Sequence, residues 1–270
     1  MELSIYQVDA FTSETFKGNP AGVCITEVGL DETTMLSIAG EMALSETAFL
    51  ALDTMQLRWF TPKCEIKLCG HGTLAAAHVM NELGLGSAGE RIEFNTLSGV
   101  LWTEIDNQRI HLYFPAPELD MEASVNPELT GSLGISPESI IDHGVFNSKE
   151  LLVLDGEDKI SGLSPNFDRL SNLKGRGTLV TAASGSDVDF VSRYFAPWVG
   201  VNEDPVTGSA HCALCVYWSK ALNKRRMRGY QASERGGFVD VEMLDSGGVR
   251  LSGSAVTVLK GKMMIPTKAT

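Results

Sequence analysis

No run of about 18 apolar residues occurs anywhere in the 270-residue chain, so no membrane-spanning helix is expected. Basic residues are in the minority: 22 Lys and Arg stand against 34 Asp and Glu, a formal net charge of −12. That balance argues against a nucleic-acid partner, because neutralising phosphates takes clustered cations. It leaves an anionic small-molecule substrate open, since a local site can oppose the global field. Cysteine is scarce, and its five copies are an odd number. They read as reduced thiols of a cytoplasmic protein rather than as a disulfide framework. The first residues, MELSIYQVDAF, alternate like a strand and lack the basic region and apolar block of a secretion signal. Low-complexity segments are also missing. What is present is an ordinary globular composition, 43% hydrophobic and 21% charged, with enough chain for a substantial core in one domain or two.

Against these absences stands a repeat. Arg58-Trp59-Phe60-Thr61-Pro62 returns as Arg193-Tyr194-Phe195-Ala196-Pro197, 135 positions later and so half the chain length. Each copy leads into a glycine-containing turn and a long apolar run. The first turn is Cys69-Gly70-His71-Gly72-Thr73, and the second is Asp204-Pro205-Val206-Thr207-Gly208-Ser209. The runs that follow, 73–80 and 209–218, carry small or apolar side chains nearly all round. As helices they must be buried on every side. With many strands and few helices around them, the economical arrangement is a curved sheet wrapped round each helix.

Period and punctuation place the other elements. Leu3, Ile5, Tyr6 and Val8 predict a strand, followed by a turn at Gly18-Asn19-Pro20-Ala21-Gly22. Asp31 is a plausible N-cap for a helix whose apolar face is Met35, Ile38, Ala39 and Met42. Strands are expected at about 47–52 and 57–60, then a meander through Ile92, Phe94, Val100, Trp102, Ile110, Leu112 and Phe114. Pro115-Ala116-Pro117 is the best junction. It sets an N-terminal half at 1–116, to which the strand near 256–265 can be added, and a C-terminal half at 117–255. The second half should hold a helix after Ser136-Pro137 and strands near 151–154, 178–182 and 239–243. The one basic cluster, Lys224-Arg225-Arg226 with Arg228, follows a predicted helix and reads as its solvated end, where cations suit the dipole.

The two turns are where chemistry is expected. The first amides of a helix have no internal partner and carry partial positive charge, so they attract carboxylates. The backbones of Gly70, Gly72 and Thr73 in one turn, and of Gly208 and Ser209 in the other, are candidate substrate contacts. Ser209 also reads as a natural N-cap. His71 at the mouth of the first helix could donate a proton to a substrate oxygen. Glu46, in Leu44-Ser45-Glu46-Thr47-Ala48-Phe49, is either an ordinary carboxylate at the start of a strand or a carbon-acid base, with its pKa raised by an apolar surround. Asp204 brackets the second turn. Cys212-Ala213-Leu214-Cys215 lies inside a buried helix, which disfavours redox chemistry. Cys64, Cys69 and His71 match no familiar zinc spacing, so no metal site is expected.

These residues resemble the PhzF family, the phenazine-biosynthesis-like isomerases that share the diaminopimelate epimerase fold. The matches run in the family's order from Gly18-Asn19-Pro20-Ala21-Gly22-Val23, through Leu44 to Phe49, Arg58 to Pro62 and Leu68 to His78, to Glu203-Asp204-Pro205-Val206-Thr207-Gly208-Ser209-Ala210-His211. Ser192 to Gly200 is most similar to the animal branch, the MAWD-binding or phenazine biosynthesis-like domain-containing proteins. The resemblance implies an α+β fold of two pseudo-symmetric halves, each a curved, mostly antiparallel sheet or barrel around a central helix, with the site between them. It implies a cofactor-independent isomerase, commonly a homodimer, acting on a small carboxylated metabolite. Glu46 matches the family's acid/base glutamate. His71, Asp204 and Ser209 match residues that position substrate and move protons, and Gly70 matches a backbone contact.

Two departures bear on mechanism. Diaminopimelate epimerases use a cysteine pair, one from each half. Cys69 occupies the first place, while Pro205 stands where the second would be, so a one-base shift through Glu46 is preferred to a two-thiol epimerase. Cys69 also replaces the alanine that precedes Gly-His in the phenazine enzyme, so the substrate need not be shared. The rival reading is a catalytically silent fold used to bind a protein partner.

Overall fold

The computed structural model describes residues 2–86, 89–106 and 109–265. In chain order its main elements are β1 (Glu2–Ala10), β2 (Asn19–Thr26), α1 (Glu32–Met42), β3 (Glu46–Ala51), β4 (Gln56–Phe60), β5 (Glu65–Ile66), α2 (Gly70–Glu82), β6 (Arg91–Thr96), β7 (Gly99–Asp106) and β8 (Arg109–Pro115). Next come α3 (Pro127–Leu133), β9 (Ile140–Phe146), β10 (Lys149–Leu154), α4 (Glu157–Ser161), α5 (Phe167–Ser171), β11 (Thr178–Ala183), β12 (Phe190–Ala196), β13 (Val201–Glu203), α6 (Gly208–Ala221), β14 (Arg226–Gln231), β15 (Gly237–Met243), β16 (Gly248–Gly253) and β17 (Ala255–Met264). The chain divides into two compact units. One runs to Tyr113 and resumes at Ser252, and the other is Phe114–Leu251. The class is α+β.

In the first unit β1 pairs antiparallel with both β2 and β17. Then β2 runs parallel to β3, β3 antiparallel to β4, β4 antiparallel to the short β5 and parallel to β6, and β6 antiparallel to β7. The second unit repeats that order of pairings. β9 is antiparallel to β10, β10 parallel to β11, and β11 antiparallel to β12. β12 is antiparallel to the short β13 and parallel to β14, and β14 is antiparallel to β15. In each unit one helix with no polar face is buried against the sheet. α2 packs on β1, β2, β3, β7 and β17, and α6 packs on β14 and β15. Leu74, Ala75, Ala76, Ala77 and Val79 of α2 have no exposed surface, nor do Ala213, Leu214 and Cys215 of α6. In the first unit a smaller helix completes a second core. Met35, Ile38 and Ala39 of α1 meet Leu3, Ile5, Cys24, Phe49 and Phe60. In the second unit Leu129 and Leu133 of α3, Ile160 of α4 and Leu170 of α5 meet Leu152, Val180 and Phe195. Strands covered on both faces read as continuous apolar runs, as in Ala48-Phe49-Leu50-Ala51.

The repeated motif has a physical job. Residues two apart on a strand share a face. Arg58 therefore lies beside Phe60, its guanidinium carbon 5.1 Å from the ring centroid, and Arg193 lies over Phe195 at 5.0 Å. Each arginine then forks onto a carboxylate of the short strand that follows. Arg58 Nε and Nη2 donate to Glu65 at 2.6 Å each, and Arg193 Nε and Nη2 donate to Glu203 at 2.7 and 2.8 Å. Such bidentate pairs fix geometry as well as energy. They hold the β4–β5 and β12–β13 hairpins, which deliver the chain to the starts of α2 and α6.

Three sequence expectations fail. Gly18 to Gly22 is not a turn, because β2 starts at Asn19, where pairing with β1 on one side and β3 on the other overrides local turn preference. No α-helix follows Ser136-Pro137. A 3-10 turn, Pro137–Ser139, stands there, and the helix lies earlier, capped by Asn126 with Pro127 in its first turn. The basic cluster is not a solvated helix end, since α6 stops at Ala221 and Arg226 and Arg228 lie on β14. Their partners are cross-strand acids, Glu242 at 2.8 Å and Asp240 at 3.6 Å. Lys224 reaches Asp189 at 2.6 Å, and Arg225 pairs with Asp245. Among the described residues no helix is long and apolar enough to cross a membrane. All five cysteines are free.

Candidate active site

The first helix start is a tight knot of donors. Cys69 is the N-cap of α2, and its Sγ accepts the Gly72 amide at 3.3 Å. Thr73 returns both its amide (3.0 Å) and its hydroxyl (2.6 Å) to the Cys69 carbonyl. The Gly72 amide and the Thr73 side chain are therefore occupied in shaping the turn. The amides of Gly70 and His71, the first two of the helix, are left without an internal acceptor. Trp59, the middle residue of the first motif, faces this turn. A Cβ on Gly72 would stand 2.9 Å from Trp59 Cδ1 and 3.0 Å from Cys69 Sγ, so only glycine fits. The Trp59 indole N–H is buried there with no acceptor among the described residues.

Glu46 opens β3 and reaches this turn, with its Oε2 3.1 Å from His71 Nε2. Both side chains are largely buried, at 18% and 8% exposure. On the other edge of the ring His71 Nδ1 meets the fully buried Asn19 amide at 3.3 Å, and Cys69 Sγ lies 3.6 Å from Nδ1. Asn19 can offer either end of its amide, so it can serve either protonation state of the histidine. Burial disfavours charge on both members of the pair. For Glu46 the His71 hydrogen bond and charge, helped by the Ser45 hydroxyl, outweigh it, and the pKa falls below the usual carboxylate value. This corrects the expectation of a raised pKa, which left out the imidazole neighbour. For His71, burial is outweighed by Cys69 and by Glu46, and the pKa lies well above that of an ordinary histidine. Burial pushes the Cys69 thiol up, leaving a neutral thiol at neutral pH. Glu46 is therefore the neighbour that brings a full negative charge to the imidazolium at neutral pH, with Cys69 on its other edge. Donor atoms of Glu46, Cys69 and His71 lie within 4.8 Å of one another, a set a divalent metal could use.

The second helix start is built differently. Thr207, not Ser209, is the N-cap of α6, and its carbonyl accepts the His211 amide at 3.1 Å. Position in the turn therefore pairs Thr207, rather than Pro205, with Cys69, and no second thiol stands there. Gln231, with no exposed surface, ties the turn together. Its Oε1 accepts the Thr207 amide at 2.8 Å, and its Nε2 donates to the Asp204 carbonyl at 2.6 Å. Asp204 Oδ2 accepts the Thr207 hydroxyl at 2.5 Å. Ser209 is exposed and accepts from Lys149 Nζ at 2.9 Å. Sequence reasoning missed Gln231, Lys149, Asn19 as a ring partner and the inward face of Trp59. Only the repeat, which marked Trp59 and Tyr194 as equivalent, could have pointed to any of them.

The paired registers also show what the second unit lacks. Thr47 pairs with Phe60 and Thr178 with Phe195, so the place of Glu46 is taken by Gly177. A Cβ there would fall 1.9 Å from Tyr194 Oη. The second unit has a tyrosine hydroxyl where the first has a base. Inside α6, Cys212 and Cys215 are buried, and burial pushes the Cys215 thiol up to about 12, against a redox role.

His211, fully buried in α6, donates from Nδ1 to the Thr207 carbonyl at 2.9 Å, and its Nε2 has no partner among the described residues. Burial lowers its pKa to about 4. The unfolded chain thus takes up a proton below about pH 6.5 that the folded chain refuses until about pH 4, so stability falls with pH across that window. At about pH 5 this loss should reach about 2 kcal/mol. Denaturant titrations of the wild type and His211→Gln at neutral pH and at about pH 5 check it. The acid loss should be smaller in the variant, and equal losses would contradict the assignment.

The chain belongs to the PhzC-PhzF family of phenazine biosynthesis-like proteins, whose pattern matches residues 8–261. It is 46% identical over 268 residues to an uncharacterized isomerase of Halalkalibacterium halodurans, covering 98% of this chain and 100% of the relative. It is 37% identical to the human phenazine biosynthesis-like domain-containing protein, covering 97% and 99%. A crystal structure of a PhzF-family protein from Enterococcus faecalis superposes with a TM-score of 0.91 at 40% identity, over 98% of this chain and all of the other.

Proposed function

We propose that the protein is a cofactor-independent isomerase in which Glu46 moves a proton between carbon positions of a small carboxylated substrate. The observation that carries this reading is the Glu46–His71 contact of 3.1 Å beside the amides of Gly70 and His71, which find no acceptor among the described residues. The ionised carboxylate is ready to take a proton from carbon. The imidazolium and the two amides are placed to stabilise negative charge that develops on an adjacent oxygen. Once protonated, Glu46 returns the proton elsewhere on the same molecule. In the other unit the start of α6 offers Asp204 for proton movement and Ser209 with the Gly208 amide for a carboxylate. The names of the relatives and the family membership support the isomerase class.

Cys69 is the competitor as a second base. Its sulfur serves as a helix cap, a task a serine hydroxyl also performs. The test is solvent-deuterium incorporation into a panel of amino and cyclic carboxylic acids, read by proton NMR. Cys69→Ser should retain the reaction of the wild type within a few-fold. A loss beyond about a hundredfold would transfer the base role to the thiol.

A further inference from the structure

Lys149 opens β10, and among the described residues no carboxylate pairs with it. Its Nζ donates to Ser209 Oγ at 2.9 Å and lies 5.6 Å from the Phe146 ring centroid and 5.5 Å from that of Tyr194. Burial lowers its pKa. The like charge of Arg176 lowers it further, against partial relief from Asp204 and Cys212. Arg176 is exposed and likewise has no ion-pair partner among the described residues. Two cations that feel each other's charge, one of them half-buried, are costly without an anion.

Tyr194 supplies an independent sign of a ligand. It is 5% exposed, yet its hydroxyl has no hydrogen-bond partner among the described residues. That hydroxyl occupies the space Gly177 leaves open, and it senses the charges of both Asp204 and Arg176. Asp204 is the one carboxylate of the cluster, and its Oδ2 is engaged by the Thr207 hydroxyl. Around the start of α6, then, donors outnumber acceptors: Lys149 on Ser209, the Tyr194 hydroxyl and the first helix amides stand with Asp204 as the one carboxylate, and Arg176 adds a second positive charge felt by Lys149 and Tyr194.

We propose that Lys149, Arg176 and the Tyr194 hydroxyl, with Ser209, form an anion subsite for an oxyacid group, a carboxylate or a phosphate, and that Lys149 determines its specificity. As a statement about substrate class this rests on the isomerase reading. As a statement about anion binding it stands apart from Glu46.

Calorimetric titration of the full chain with inorganic phosphate and, separately, with succinate tests it at constant low ionic strength, with chloride as the control. Saturable binding of at least one probe is expected. Lys149→Met and Arg176→Gln should each weaken it at least about tenfold, Lys149→Arg should restore most of it, and Glu46→Gln should leave it unchanged. Preference for phosphate assigns a phosphoryl group, and preference for succinate assigns a carboxylate. Absence of saturable binding by both probes, equal affinity in the wild type and the Lys149 and Arg176 variants, or loss of binding in Glu46→Gln would overturn the subsite. Retained binding together with unchanged deuterium exchange in Glu46→Gln would instead overturn the isomerase reading alone.

Discussion

Glu46→Gln is expected to lower the rate of solvent-deuterium incorporation by about 10²–10⁴-fold, the range supplied by a positioned general base. The substitution keeps the shape of the side chain and removes its charge and its ability to take a proton. One of the two neighbours that favour the imidazolium is then lost, so the pKa of His71 should drop. The pair stabilises the fold within a window. The Glu46 contribution is lost as pH falls through its lowered pKa, and the His71 contribution is lost as pH rises through its raised one. The fold stability that Glu46→Gln costs should therefore be largest between those limits. Equal deuterium incorporation by wild type and variant would remove Glu46 from the mechanism.

Arg193→Met should destabilise the protein by about 3–5 kcal/mol, because removing one partner of a largely buried pair leaves the other uncompensated. Arg193 and Glu203 are only 13% and 19% exposed. The same guanidinium also donates from Nη1 to the Leu163 carbonyl at 2.7 Å, so a second acceptor is orphaned. Replacing both partners, Arg193→Met with Glu203→Leu, should recover part of the loss, since no charge then remains buried alone. Arg58→Met should cost less, because Arg58 serves only carboxylates, whereas Arg193 also serves a backbone carbonyl that its loss would orphan. Denaturant unfolding of the wild type and these three variants measures the differences. Equal stability of Arg193→Met and wild type would show that the motif arginine does not hold the hairpin.

The parts of the molecule legible in the sequence are those whose signal is local or repeated. The burial of α2 and α6 follows from helices without a polar face. The N-cap at Asp31 follows from its side-chain type and is met by the bond to the Thr34 amide at 3.1 Å. The repeat itself carried the parity of the two helix starts. Effects set by distant partners were not legible. The direction of the Glu46 pKa shift depends on a histidine 25 positions away (71 − 46), and only the fold brings the two together. Gln231, 27 positions from Asp204 (231 − 204), carries no local pattern that marks it as the tie of the second turn. Arg226 and Arg228 read as a helix end because their acidic partners arrive only with the next strand. Lys149 and Arg176 are brought to neighbouring positions by the parallel pairing of β10 and β11, where the Glu150 amide donates to the Gly177 carbonyl at 3.0 Å.

The central claim is that an ion pair, rather than a neutral acid beside a neutral imidazole, sits at the start of α2. Nitrogen-15 NMR of histidine-labelled protein, titrated from about pH 5 to about pH 9, reads it directly and requires no substrate. His71 should carry protons on both ring nitrogens at neutral pH and lose one only well above the ordinary histidine range, whereas His211 stays neutral throughout as an internal reference. In Glu46→Gln the His71 transition should move down. A His71 that is already neutral at pH 7, or whose titration is the same with and without the Glu46 carboxylate, would contradict the account.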